Sequence, residues 1–333
     1  MRTNGQSVAA ARLEDLVPDE LRDLENPQTA IPRIAKDRRL IREIEGAVRR
    51  APTCHDLYRA DARDLSFVSD DGADLIVTSP PYWTLKEYRD SDGQLGHVDD
   101  YAEFMDELSK VWREAYRILT PGGRLVVVVG DVCLSRRKNA GRHTVVPLHA
   151  GIQESCRSIG FDNLAPIIWY KIANATYEVQ NGGAGFLGKP YEPNAVIKND
   201  FEYILMQRKP GGYRKPTVSA RVLSVISAEN HNLWFRSIWS DVTGASTRNH
   251  PAPYPVELAE RLVRMFSFVG DTVLDPFWGT GSTSLAAAKW GRNSIGVEID
   301  PQYFEQGRRR LERETADLFG STSLKVHDPA GGP

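Results

Sequence analysis

The sequence predicts an α/β protein built on a doubly wound, mostly parallel sheet. Three observations carry this. Short apolar runs alternate with helical patterns from Leu57 onward, a Gly-rich turn joins a strand to a helix near residue 280, and no internal repeat is visible. Alternation of this kind builds parallel sheets with helices on both faces. The 333 residues are 41% hydrophobic and 26% charged, an ordinary globular balance. The longest apolar run, Leu125 to Val129, falls far short of the roughly 20 residues a membrane span needs. Acids stand where a signal peptide would be apolar. Neither a membrane nor a secreted class is expected. Cys54, Cys133 and Cys156 share no CxxC spacing. That argues against a disulfide framework or a cysteine zinc site and for a reducing cytoplasm. The seven histidines form no metal-ligating motif, and no metal is expected.

The elements follow in order. Residues 1–50 form an N-terminal helical extension that reads as separate: Ile31, Ile34, Leu40, Ile41, Ile44 and Val48 recur at helical spacing among many arginines. DLIVTS (74–79) and GRLVVVVGD (123–131) read as buried strands, with LAPIIWYK (164–171) and FEYILMQR (201–208) as further candidates. Between the first two lies an amphipathic helix, about 99–119, stopped by Pro121-Gly122-Gly123. A helix follows Pro255; TVLDPF (272–277) and NSIGVEID (293–300) are strands joined by the Gly-rich turn and the helix 282–290. Residues 172–200 are rich in Gly, Asn, Pro and Tyr without a period, which marks a functional loop or an inserted recognition element. Residues 319–333 read as a disordered tail.

Net charge is −2, yet residues 201–221 carry five bases against one acid, with Arg208, Lys209, Arg214 and Lys215 among them. Such an island suits a polyanion or, equally, a solvated loop.

Two motifs carry chemistry. In Val273-Leu274-Asp275-Pro276-Phe277-Trp278-Gly279-Thr280-Gly281-Ser282 a strand ends in an acid, turns through glycines and enters a helix. Glycines let the backbone approach a ligand, and the helix N-terminus offers free N–H groups. Glu298, at the end of the next strand, is placed to accept both ribose hydroxyls of a nucleoside. A dinucleotide fold would expect GxGxxG, and Ser284 occupies the third glycine position. The second motif, Thr78-Ser79-Pro80-Pro81-Tyr82-Trp83, follows the DLIV strand directly. Its two prolines stiffen the backbone and remove donors, leaving the Ser79 hydroxyl and the Pro80 carbonyl as acceptors beside aromatic faces. Such a row can hold an amino group while Tyr82 stacks on a planar ring.

TSPPYW followed by DPFWGTGS resembles the S-adenosyl-L-methionine-dependent amino-methyltransferases of DNA, in the permuted order where the catalytic motif comes first. The likeness spans roughly residues 52–312, with DARDL (61–65) similar to the element that meets the cofactor's adenine. HPAPYPVELAERLV (250–263) resembles the start of the cofactor half, and Tyr303 with Arg308 the tail of its last helix. It implies a seven-stranded sheet with a catalytic half at 51–171, a target-recognition region at 172–249 and a cofactor half at 250–318. It implies that Asp61, Ala62, Asp275, Pro276, Phe277, Gly279, Thr280, Gly281, Ser282 and Glu298 hold S-adenosyl-L-methionine. Ser79, Pro80, Pro81 and Tyr82 would form the catalytic pocket. The substrate would be double-stranded DNA from which one base is flipped out, with the 172–200 loop reading bases and Arg208, Lys209, Arg214 and Lys215 on phosphates. Serine at the first catalytic position goes mostly with cytosine N4, and aspartate or asparagine with adenine N6. Methylation at cytosine carbon 5 is excluded, since no cysteine follows a proline. A homodimer and a cognate restriction endonuclease acting separately are further partners the resemblance allows, in a prokaryote or phage. Two rival readings stay open: a non-catalytic DNA-binding relative, and a nicotinamide dehydrogenase, which leaves TSPPYW unexplained.

Overall fold

A computed structural model describes residues 12–83, 93–136, 139–171, 199–244, 254–316 and 322–328. Eleven strands are present among them: β1 Thr53–Tyr58, β2 Ala73–Thr78, β3 Leu119–Val129, β4 Val132–Leu134, β5 Thr144–Val146, β6 Asp162–Tyr170, β7 Phe201–Arg208, β8 Ile238–Trp239, β9 Thr272–Asp275, β10 Asn293–Val297 and β11 Thr322–His327. Nine form one sheet in the order β11-β1-β10-β9-β2-β3-β7-β6-β8, and β4 with β5 makes a small separate ribbon. Within the large sheet β7 alone runs against its neighbours β3 and β6. The expected seven strands are the central run from β1 to β6; β11 and β8 extend it at either edge.

Helices cover both faces, as alternation requires. Tyr101–Ile118 and Leu148–Ile159 bury Phe104, Leu108, Trp112 and Ile152 against β3 and its neighbours on one side. Val256–Phe266 and Ser282–Lys289 bury Leu258, Leu262, Ala286 and Ala287 on the other. The mid-sheet strands are apolar on both faces for this reason: Val126 to Val129 are all fully buried.

Two expectations change. From residue 12 onward the extension is helical as expected, but it is not separate. Pro27–Ile34 and Arg38–Val48 are two helices, the second started by Asp37, whose carboxylate accepts from the Arg39 and Leu40 amides at 2.8 and 3.2 Å. Their apolar stripe (Ile34, Ile41, Ile44, Val48) shares a core with Val222, Leu223 and Val269 of the main body. Arg264 ties the two by its bond to Glu45 at 3.0 Å. Nor is the whole of 319–333 a disordered tail: Thr322–His327 is β11, paired in parallel with all six residues of β1. There the His327 ring stacks on Tyr58 at 4.2 Å, and Arg59 holds Asp328 at 2.5 Å.

β1 also carries a buried histidine. His55 lies between the Ser294 and Thr53 hydroxyls, at 2.8 and 3.0 Å, and is fully buried. Burial pushes its pKa down to about 4, against the pull of the Asp56 charge. An unfolded imidazole takes its proton near pH 6.5, so the folded state loses stability as pH falls from about 6.5 towards 4. The expected loss between pH 7 and pH 5 is about 2 kcal/mol. Urea titrations of the wild type and His55→Val at both pH values measure it; an equal loss in the variant would assign the slope to other groups.

Candidate functional site

The parallel strands all end at one edge of the sheet, and four of these ends converge on one cleft. β1 leads to Ala60, Asp61 and Ala62; β2 to Ser79 and Pro81; β9 to Pro276 and Phe277; β10 to Glu298 and Ile299. The segment Gly93–Leu95 and Tyr303, from the helix Pro301–Thr315, complete the lining. The cleft opens to solvent, and its strictly enclosed space is about 50 Å³. Both motifs therefore meet at one place.

The cofactor motif divides into a lining and a frame. Asp61, Ala62, Pro276, Phe277 and Glu298 face the cleft, whereas Asp275, Gly279, Thr280, Gly281 and Ser282 are not among its lining and build the turn behind it. Gly281 caps the following helix with φ +80°, and a Cβ there would meet the Trp278 ring at 2.9 Å. Trp278 itself is 2% exposed and gives its indole N–H to Ser284 at 2.8 Å. Gly296 and Gly307 form its socket, since a Cβ on either would lie within 2.7 Å of the ring. The tryptophan thus holds the turn rather than a ligand. The Thr280 carbonyl accepts from Arg310 at 3.3 Å, and the Ser282 hydroxyl donates to the Tyr254 carbonyl at 3.1 Å.

Glu298 braces the same turn. One carboxylate oxygen accepts from the Gly279 amide at 2.8 Å and the other from the Asp300 amide at 2.9 Å. Burial pushes its pKa up to about 7, and the two amides pull the other way. Asp61 lines the same cleft from the end of the neighbouring strand β1, held by Arg63, which also grips Glu107 at 2.7 Å. Two carboxylates on one cleft suit a ligand that carries hydroxyls and positive charge.

The catalytic motif is also split. Ser79 and Pro81 line the cleft, while Pro80 and Tyr82 are buried behind them. Tyr82 is only 4% exposed, with its hydroxyl between Ser79 and Glu202. Its ring offers no free face for a base in this conformation, which corrects the expected stacking role. Asp275 is also not a ligand-facing group: it is fully buried, bonded to Thr78, Thr283, Tyr254 and the Phe277 amide. It ties the strand before Ser79 to the turn before Gly279. Among the described residues no group of three or more His, Cys, Asp or Glu side chains gathers to hold a metal ion.

Residues 73–309 match the DNA methylase family of the N6 and N4 type. The chain belongs to that family. Type II methyltransferase M.MthZI of Methanothermobacter thermautotrophicus is 37% identical over 295 residues, covering 82% of this chain and 80% of its own. M.MjaI of Methanocaldococcus jannaschii is 36% identical over 277 residues, covering 74% and 88%. The Thermus thermophilus protein TTHA0409, crystallised with S-adenosyl-L-methionine, has a TM-score of 0.68 and 51% identity, covering 84% of this chain and all of that one.

In this DNA methylase the four bases expected on phosphate do not join the cleft. β7 runs antiparallel, so Arg208, at its end, pairs with Arg124, which is level with Leu75 near the start of β2 and towards the edge opposite the cleft. Arg208 bonds Asp162 at 2.7 Å; Lys209 bonds Asp71 and the Leu119 carbonyl; Arg214 spans Asp74 and Asp271. Their charge is used within the fold, and Lys215 lies on the same segment just past Arg214. The loop 172–200, expected to read bases, falls outside the described residues except for its last two positions. Among the described residues no helix is long and apolar enough to cross a membrane. Sequence reasoning missed Glu202 and Lys171, which stand behind Ser79, because a single acid in an apolar strand reads as an edge residue.

Proposed function

We propose that this DNA methylase transfers a methyl group from S-adenosyl-L-methionine to the exocyclic N4 amine of a flipped cytosine within a specific duplex sequence. The observation that carries the reading is that Ser79 and Glu298 line one cleft. An acceptor for an amine and an acceptor for ribose hydroxyls then face a common space. When bound, S-adenosyl-L-methionine supplies an electrophilic methyl on a sulfonium. Phe277 and Pro276 offer apolar walls, Asp61 and Glu298 the negative charge that favours a cation. Ser79 would accept from the target amine, draw its nitrogen lone pair out of the ring, and hold it against the methyl; as the new N–C bond forms and the S–C bond breaks, the nitrogen becomes cationic and then gives one proton to a backbone carbonyl or water, so positioning and charge stabilisation carry the step. Serine at position 79 supports cytosine N4 over adenine N6. Digestion of methylated duplex to nucleosides, with the modified one identified by mass, tests this directly: N4-methylcytosine is expected, N6-methyladenine would move the target, and neither would sink the reading.

Cofactor affinity should depend on pH. A carboxylate accepts two hydroxyls where a carboxylic acid cannot, and Glu298 titrates near pH 7. Affinity is expected to rise about tenfold from pH 6 to pH 8 as the ionised fraction grows. Calorimetry across that range measures it, with Glu298→Gln as the control. A rise that persists in the variant would place the titrating group elsewhere.

A further inference from the structure

A directed chain of hydrogen bonds leaves the cleft behind Ser79. The Ser79 hydroxyl donates to the Tyr82 hydroxyl at 3.2 Å, and the Tyr82 hydroxyl donates to Glu202 Oε2 at 3.3 Å. Glu202 Oε1 accepts from the Lys171 ammonium at 2.7 Å. Glu202 and Tyr82 are 9% and 4% exposed, so bulk water does not scramble the order. Topology brings these groups together: β6 and β7 present Lys171 and Glu202 at the same sheet edge where β2 releases Ser79.

The direction of the chain follows from its acid end. A carboxylate paired to an ammonium has no proton to give, so it can only accept. The Tyr82 hydroxyl donates to Glu202 and accepts from Ser79, so it turns a lone pair towards Ser79. Ser79 has one proton, and it is engaged on Tyr82. What Ser79 shows to the cleft is lone pairs.

We propose that Glu202 is a positioning residue which, through Tyr82, fixes Ser79 as an acceptor and so makes the pocket select a base that offers an amino group. A base with a carbonyl at the same position brings an acceptor to an acceptor and is turned away. Without Glu202 the Tyr82 proton is free to turn towards Ser79, and Ser79 can then show a proton to the cleft. The inference rests on amine methylation as the reaction of this cleft.

The test uses the full chain and a duplex containing its mapped site, with cytosine or uracil at the target position. Glu202→Gln, Tyr82→Phe and the double variant are compared for kcat, cofactor affinity and preference for the cytosine duplex. Each single change is expected to lower kcat about 10–100-fold, the range for a lost bond to a charged group, with cofactor affinity within twofold. The double variant should be no slower than the worse single one, and the cytosine-over-uracil preference should shrink in all three. Glu202→Asp should recover part of the rate. Additive losses, or a Glu202→Gln enzyme within twofold of wild type, would overturn the proposal. If the wild type forms no methylated amine at all, the reaction assigned to the cleft fails instead, and the variants need not be made.

Discussion

Ser79→Ala is expected to lower the methyl-transfer rate constant by about 10²–10³-fold, the scale for removing one preorganised polar contact from developing charge. Cofactor affinity should change less than twofold. The split follows from the cleft. Ser79 stands at the end of β2, whereas the carboxylates and apolar walls assigned to the cofactor come from the ends of β1, β9 and β10. As the amine attacks the sulfonium, positive charge grows on its nitrogen, and the Ser79 lone pairs face it. Alanine removes that acceptor and leaves the chain behind it, Tyr82 on Glu202, intact. Single-turnover kinetics and calorimetry on the same preparation separate the two terms. An equal loss in both would mean that Ser79 holds the cofactor rather than the base.

The largest effect on stability is expected at Asp275. Its carboxylate accepts from Thr78 at 2.7 Å, Thr283 at 2.6 Å, Tyr254 at 3.0 Å and the Phe277 amide at 3.1 Å, in a fully buried setting. Burial raises its pKa and these donors oppose the rise. Alanine strands several buried donors, each worth roughly 1–3 kcal/mol. Thr283 can fall back on the Val77 carbonyl, 3.4 Å away, so the sum is not the full count. About 3–5 kcal/mol is the expected loss, and Asp275→Asn, which keeps one acceptor, should lose less. Urea unfolding with an unchanged slope measures it. A midpoint that does not move in Asp275→Ala would show that the network contributes nothing net. Because Thr78 precedes Ser79 and Phe277 lines the cleft, cofactor affinity and rate should here fall together, unlike in Ser79→Ala.

These networks mark where sequence reading stops. The strands that proved legible, β2, β3, β6, β7, β9 and β10, announce themselves by local apolar runs, and the helix Tyr101–Ile118 by its stripe. β1 reads TCHDLY, with Thr53 and His55 at buried positions, because Ser294 and Thr322 across the sheet satisfy them. Nothing local says so. β11 alternates short polar and apolar residues on an exposed edge and is a strand only because β1 pairs with it. In the site, Ser79, Phe277 and Glu298 were legible since their motifs lie at strand ends. The basic segment misled for a related reason: composition counts Arg214 as a free charge, whereas Asp74 and Asp271 that hold it lie 140 and 57 residues away. Charge counts carry no address.

The place of β1 between β10 and β11 has a consequence for how the chain is made. His55 meets Ser294, its partner 239 residues later. On a ribosome adding about 5–20 residues per second, β1 waits roughly 12–50 s before that neighbour is synthesised. β2 waits in the same way for β9, though β3 reaches it earlier. The catalytic edge of the sheet is thus assembled before the cofactor edge exists, and the first strand after the helical extension stays uncovered through most of synthesis. An unpaired strand is a template for association with other chains. In newborn chains, segments that hide β1 during this interval would decide yield more than the final stability of the sheet does.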